Sequence, residues 1–322
     1  MNSSAPACWA ASPMAMCPRP AEPRRLAHIL ILAATLLAPV AAHATCQGMV
    51  LHAHRGHPDA PENAQSAITR AVEGAWDGVE IDIQQLGDAH WVLHHDLQLG
   101  RTTTLSGRRV QDLTSTAWKE VMLKDRNGRV TRENAPFLSA VLDKVNEADK
   151  DKVLNVEIKQ SNSRCDAAQQ AVSTLHRGLP DGNWFLTAIE RGQLRCARQV
   201  DATGYLGQIV LDPQALARQN PATRASASRF APPRIDETWL RRLQQEVGKP
   251  VGVHVDINTL NANPRLLPMA RELGVPVFTY HLGPDAEHAR ALRDARRLTG
   301  LLPSGAIIDG QPAAFCDGVS AP

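Results

Sequence analysis

The sequence has no dense run of lysine and arginine, and aromatic residues make up only 4% of it, with two tyrosines and five phenylalanines in the whole chain. A nucleic-acid binder normally presents a cationic face. Neither a basic patch nor interleaved aromatics is present, so nucleic acid is not an expected partner. Long apolar runs are scarce as well. Ile29 to Ala42 is an almost uninterrupted apolar stretch, but it falls short of the roughly 20 residues a comfortable membrane span requires. No internal repeat stands out, no shift in composition marks a second domain, and no cysteines have the spacing of a zinc site.

That apolar stretch has the layout of an export signal. Arg24 and Arg25 precede it, and Ala42-His43-Ala44 follows as an A-x-A-like cleavage site. The expectation is a signal peptide over residues 1–44, cleaved near Ala44–Thr45, and a mature chain 45–322 that is periplasmic or secreted. An uncleaved anchor is the alternative. Loss of the leader removes Arg19, Arg24, Arg25 and Glu22, which takes the formal charge of +2 to about zero. It also leaves four cysteines, Cys46, Cys165, Cys196 and Cys316, an even number that permits disulfides in an exported protein. Of the three connectivities, Cys165 with Cys196 and Cys46 with Cys316 is favoured, because each pair would lie on neighbouring barrel units. Four buried free thiols are the other possibility.

From residue 50 onward, short runs of Val, Ile and Leu alternate with amphipathic stretches, the pattern of βα units around a parallel sheet. Strands are expected near 50–54, 78–83, 91–95, 153–159, 184–188, 206–210, 251–255, 276–280 and 306–308. Helices are expected near 63–75, 137–148, 165–177, 191–199, 236–247, 264–273 and 285–298. The fold class is α/β, a single TIM-type (β/α)8 barrel over residues 45–322, near the roughly 250 residues usual for that fold. Nine strand candidates compete for eight places, so one is accessory. Residues 212–235, with Pro213, Pro221, Pro232 and Pro233, read as an irregular loop inserted over the barrel, either a surface loop or a lid.

In Gly78-Val-Glu-Ile-Asp-Ile83, strand alternation puts Glu80 and Asp82 on one face and Val79, Ile81 and Ile83 on the other. If the aliphatic face meets helices, both carboxylates point into the barrel. Side by side in low dielectric they repel, and a divalent cation between them resolves the conflict. An edge strand with its polar face in water is the competing account. Val153-Leu-Asn-Val-Glu-Ile-Lys159 repeats the pattern and adds Glu157, with Lys159 two residues on along the same face. Three oxygen ligands suit Ca²⁺ or Mg²⁺ better than zinc. Lys159 would neutralise a phosphate or balance the acids. Six of the twelve histidines, His52, His54, His57, His90, His94 and His95, lie around the first and third strands. Most are expected to be structural. Arg55-Gly56 singles out His54, since glycine lets the chain turn at a strand end, and Asp96 with Arg101-Thr102-Thr103 singles out His95.

Five strings follow in order: His54-Arg55-Gly56, Pro61-Glu62-Asn63, Glu80-Ile81-Asp82, His95-Asp96 with Arg101-Thr102-Thr103, and Glu157-Ile158-Lys159. Together they resemble the glycerophosphodiester phosphodiesterase family, clearly over about residues 50–160 and more faintly to 312. The resemblance implies a TIM barrel, a divalent metal on Glu80, Asp82 and Glu157, and catalysis by His54 and His95. It further implies phosphate contacts from Arg55 and Lys159, and a place near the metal site for Glu62. The chain departs from the family pattern at Ala64, where threonine is usual. It departs again at Phe278-Thr279-Tyr280-His281, where W-T-V-N is usual, and at Ile308-Asp309-Gly310-Gln311-Pro312, where T-D-x-P is usual. These changes bear on the leaving-group pocket. The activity implied is metal-dependent hydrolysis of a small-molecule glycerophosphodiester to glycerol phosphate and an alcohol, with two histidines as acid and base. A sphingomyelinase D- or lysophospholipase D-like enzyme and a non-catalytic exported glycerophosphodiester-binding protein are the alternatives. His94 is the substitute if His95 points away.

Overall fold

The computed structural model describes residues 46–148, 151–159 and 165–321, so the expected signal peptide and its cleavage junction lie outside the described residues. The strands form where β-branched and aliphatic residues cluster, as such side chains favour the pleated surface. In chain order they are β1 (Val50–His54), β2 (Gly78–Gln85), β3 (Trp91–Leu93), β4 (Met122–Lys124), β5 (Val130–Asn134) and β6 (Val153–Ile158). They continue with β7 (Trp184–Ala188), β8 (Leu206–Val210), β9 (Val251–Asp256), β10 (Val277–Tyr280) and β11 (Gly305–Ile308).

Eight of these pair in parallel in the circular order β1, β2, β6, β7, β8, β9, β10, β11, and β11 returns to β1 from Val50↔Gly305 to Ala53↔Ile308. The result is the closed (β/α)8 barrel expected from the sequence. β3 is the accessory ninth strand: it runs antiparallel to the end of β2, through Ile83↔Leu93 and Gln85↔Trp91. The antiparallel pair β4–β5 was not among the expected strands. Its second strand, Val-Thr-Arg-Glu-Asn, has too little aliphatic content to register as a half-buried strand.

The helices are α1 (Gln65–Glu73), α2 (Ser115–Trp118), α3 (Leu138–Glu147), α4 (Cys165–Gly178), α5 (Arg191–Arg198) and α6 (Pro213–Gln219). After them come α7 (Glu237–Val247), α8 (Ile257–Ala262), α9 (Leu266–Leu273), α10 (Asp285–Thr299) and α11 (Pro312–Ser320). Each long helix lays one apolar stripe on the barrel: Ile68 and Val72 of α1, and Leu138, Val141 and Leu142 of α3, share a core with Val79, Ile81 and Ile83 of β2. Among the described residues no helix is long and apolar enough to cross a membrane.

The segment read as an irregular loop over 212–235 contains α6 and a 3₁₀ turn at Arg224–Arg229. Asp212 caps α6 by accepting from the backbone N–H of Gln214 and Ala215 at 2.8 and 3.0 Å, and Pro213 stands at the helix start. A proline there sacrifices no intrahelical hydrogen bond, so a proline-rich stretch accommodates a helix start. The segment follows the C-terminal end of β8 and so borders the barrel mouth.

Both favoured disulfides are formed, and the free-thiol alternative is excluded. Cys165–Cys196 ties α4 to α5, and Cys46–Cys316 ties the segment before β1 to α11. The second bridge spans 270 residues and constrains the unfolded chain over that length. Replacing Cys46 and Cys316 together by alanine should cost about 2–4 kcal/mol of unfolding free energy, read as a lower denaturant midpoint; an unchanged midpoint would contradict this role.

Candidate active site

Glu80 and Asp82 project from β2 and Glu157 from the adjoining β6, where Asp82 and Glu157 stand in register. One oxygen from each lies within 4.8 Å of the others, and all three residues are buried. The edge-strand account of β2 fails, because β2 is flanked by β1 and β6. Positive charge converges on the acids. Lys159 Nζ lies 3.2 Å from Asp82 Oδ1 and 2.7 Å from Glu157 Oε1, and Arg55 Nε lies 3.2 Å from Asp82 Oδ2. Asn63 completes the hold by donating Nδ2 to Asp82 Oδ2 at 2.8 Å and accepting the Asp82 N–H at 3.0 Å.

The acids respond unequally. Burial pushes Asp82 up, but Lys159, His95 and Arg55 outweigh it, and the carboxyl sits well below the usual range. Glu80 is pushed well above its ordinary value, first by burial and then by Asp82 and Glu157, which Arg55 and Lys159 only partly offset. Burial pulls Lys159 down, yet Asp82 and Glu157 carry it above the usual lysine value. Lys159 is therefore committed to the acids in this arrangement while still bordering the cavity.

Backbone strain builds the same cluster. Arg55 and Asn63 both adopt positive φ, +58° and +57°, which non-glycine residues rarely do. At Arg55 this turn directs the main-chain N–H onto Glu80 Oε2 at 3.0 Å. Gly56 follows at φ +90°, where a Cβ would sit 2.7 Å from the Ala67 Cβ, so only glycine fits.

Each of the two singled-out histidines is backed by a carboxylate. His54, at the end of β1, places Nδ1 2.8 Å from Asp309 Oδ1, and His95 places Nδ1 2.7 Å from Asp96 Oδ1. Such a pairing fixes the ring and leaves Nε2 for the cavity that both histidines border. Asp96 accepts from Arg101 Nε at 2.7 Å, Arg101 also pairs with Glu62, and Glu62 accepts from Arg55 Nη1 at 2.9 Å. This chain of charges links the two sides of the site. His94 is no substitute for His95: it is buried, with Nδ1 on the Asp96 carbonyl at 2.7 Å and Nε2 near Thr102.

The cavity measures about 410 Å³. His54, Arg55, Glu80, His95, Glu157 and Lys159 border it; Asp82 and Glu62 stand behind these. Its lining also includes an apolar set, Ile189, Ile209, Leu211, Leu216 of α6, and Leu282, together with Gln219 and Tyr280. A larger groove of about 1060 Å³ runs beside α1 and α3, but its lining, such as Arg70, Glu73 and Lys144, contains no histidine or paired buried acids. Sequence reading assigned no role to Asp309, Asp96, Arg101, Asn63 or the apolar set. Asp96 and Arg101 stand close to His95 in the sequence, whereas Asp309 meets His54 only once β11 lies against β1.

A profile of the Glycerophosphoryl diester phosphodiesterase family matches residues 54–309. Among curated proteins, the chain is 35% identical over 129 residues to an uncharacterized protein of Bacillus subtilis, covering 38% of this chain and 50% of that one. It is 38% identical over 109 residues to a glycerophosphodiester phosphodiesterase of Caldanaerobacter subterraneus, covering 33% and 44%. The chain thus spans about half the length of the curated relatives it matches. Among solved structures, it resembles an Oleispira antarctica phosphodiesterase in complex with the product sn-glycerol-3-phosphate, with TM-score 0.65, 18% identity, and 84% and 97% of the two chains covered. A glycerophosphodiester phosphodiesterase from Parabacteroides distasonis matches with TM-score 0.61 and 17% identity over 81% and 93%. At these identities the structures support the fold.

The raised Glu80 value has a consequence for stability. A carboxyl whose folded value exceeds its ordinary 4.5 loses stability as pH rises from that value towards the folded one. Glutamine has no such loss. In chelator, Glu80→Gln should therefore raise the thermal midpoint above wild type at neutral pH and match it near pH 4.5; equal midpoints at both would refute the charge conflict.

Proposed function

Because the chain belongs to the glycerophosphoryl diester phosphodiesterase family, we propose that it hydrolyses glycerophosphodiesters to glycerol phosphate and an alcohol, with a divalent cation. The observation that carries the reading is the pair of carboxylate-backed histidines facing one cavity with three buried acids. A purely structural role would not call for two oriented rings of this kind around a concave site.

The donor set fits a hard cation: three carboxylates with oxygens within 4.8 Å of one another, and no thiol or imidazole in the cluster. Glu80, Asp82 and Glu157 would hold Ca²⁺ or Mg²⁺, which when bound supplies charge neutralisation at the phosphate. The chain's own groups do the rest. Arg55 and Lys159 border the cavity beside the acids and orient a phosphate against them. One histidine takes a proton from the attacking oxygen at Nε2 while its Nδ1 stays on its aspartate. The other donates a proton to the departing alkoxide. Asp309 and Asp96 keep both rings aligned and stabilise the imidazolium that each forms in turn.

The apolar set supports a second reading, in which the diester bears an acyl chain as in a lysophospholipase D. Export follows as a proposal from the N-terminal leader, and two disulfides suit an oxidising compartment.

Purified protein should release alcohol from glycerophosphocholine with Ca²⁺ or Mg²⁺ and lose that activity in chelator. His54→Ala and His95→Ala should each lower kcat by about 10²- to 10⁴-fold with unchanged circular dichroism. Wild-type rates in both variants would overturn the acid/base assignment, and full activity after chelation would overturn the metal.

A further inference from the structure

The aspartates behind the two histidines are held by different means. Asp96 has a side-chain brace, since Arg101 Nε and Nη2 donate to its Oδ2 and Oδ1 at 2.7 and 3.1 Å. Asp309 has no such fork. It stands one residue beyond β11, which ends at Ile308, and its side chain is 46% exposed. Beyond His54, its carboxylate pairs with Arg126 at 3.9 Å, and an exposed pair of that length contributes little. A carboxylate so open to water keeps its reach to a histidine only if its main chain is fixed.

The fixing comes from Asp285, the first residue of α10. Its Oδ1 accepts the Asp309 N–H at 3.2 Å, and its Oδ2 accepts the Gly310 N–H at 2.6 Å. One carboxylate thus takes two consecutive main-chain donors that lie past the end of the β11 ladder, which sets both the position and the tilt of the peptide between them. The helix that carries Asp285 is itself seated by buried His288, Ala289 and Leu292. Gly310 belongs to the fit, because a Cβ there would lie 2.8 Å from Asp285 Oδ2 and push the carboxylate off the amides. Burial raises the Asp285 carboxyl, and the two N–H bonds work against that rise. The charge of Asp309 also opposes a second carboxylate beside it, so attraction between side chains does not account for the placement.

We propose that Asp285 is a positioning residue for the reaction: by clamping the Asp309–Gly310 peptide it keeps Asp309 on Nδ1 of His54 and so keeps the His54 ring oriented. The inference rests on the phosphodiesterase reading and on His54 as its acid or base. Asp285 does not border the cavity and acts only through Asp309.

Asp285→Ala removes the clamp, and Gly310→Ala displaces it while leaving the carboxylate in place. Each should lower kcat on glycerophosphocholine by about 10- to 100-fold, with KM within about threefold of wild type. Added to Asp309→Ala, each should cost less than about threefold more, because the group it places is already gone. Equal fold losses on the two backgrounds would show a general structural effect and overturn the clamp, as would wild-type kcat in both single variants. If Asp285→Ala fails to fold, Gly310→Ala on the two backgrounds decides. A readout independent of turnover is the ring proton shared by His54 and Asp309, a downfield signal in proton NMR identified by its absence from His54→Gln. That signal should be lost in Asp285→Ala and Gly310→Ala, and its persistence in both would overturn the clamp. A wild type that turns over no diester would overturn the phosphodiesterase reading, and the NMR signal would still decide whether Asp285 places Asp309.

Discussion

Three carboxylates buried in one layer of a barrel interior cannot all ionise without positive charge beside them, and that constraint organises the site. Lys159 reaches Asp82 and Glu157 from the strand end, and Arg55 reaches Asp82 from the first turn of the chain past β1. The positive φ of Arg55 accompanies the turn of its main-chain N–H onto Glu80, and Asn63, also at positive φ, donates its Nδ2 to Asp82. Gly56 exists to let that turn pass over Ala67.

The histidines are arranged around this charged layer by different means. His95 draws on the residue next to it, and Arg101 and Glu62 brace that aspartate from behind. His54 draws on Asp309, 255 residues away, which Arg126 in the β4–β5 turn also approaches at 3.9 Å. The lining also carries Ile189, Ile209, Leu211, Leu216 and Leu282, so the cavity combines charged groups with aliphatic ones.

Much of this was legible from residues 50–160. In β2 and β6 the period-two alternation is unbroken, so the inward direction of Glu80, Asp82 and Glu157 followed from the pleat alone. Barrel closure followed from the number of aliphatic runs, although only pairing showed that β3 is the antiparallel one. What stayed hidden was non-local or compositional. Asp309 has no local mark of its role, and α6 begins at a proline in a proline-rich stretch. His94 and His95 are neighbours in sequence, and only the Thr102 and Asp96 contacts separate a packed ring from an available one.

The pairing of β1 with β11 is the seam at which the barrel closes, and His54–Asp309 sits at its upper edge. That contact is among the longest-range in the chain, of the kind whose loop-closure entropy slows folding. The His54–Asp309 pair is therefore not complete until the β1–β11 ladder has formed. A chain that is compact but unsealed would keep its acid cluster, since β2 and β6 are already side by side, and would lack an oriented His54. Local opening of that single seam would part His54 from Asp309 while most of the core, and the acid cluster of β2 and β6 with it, remained folded.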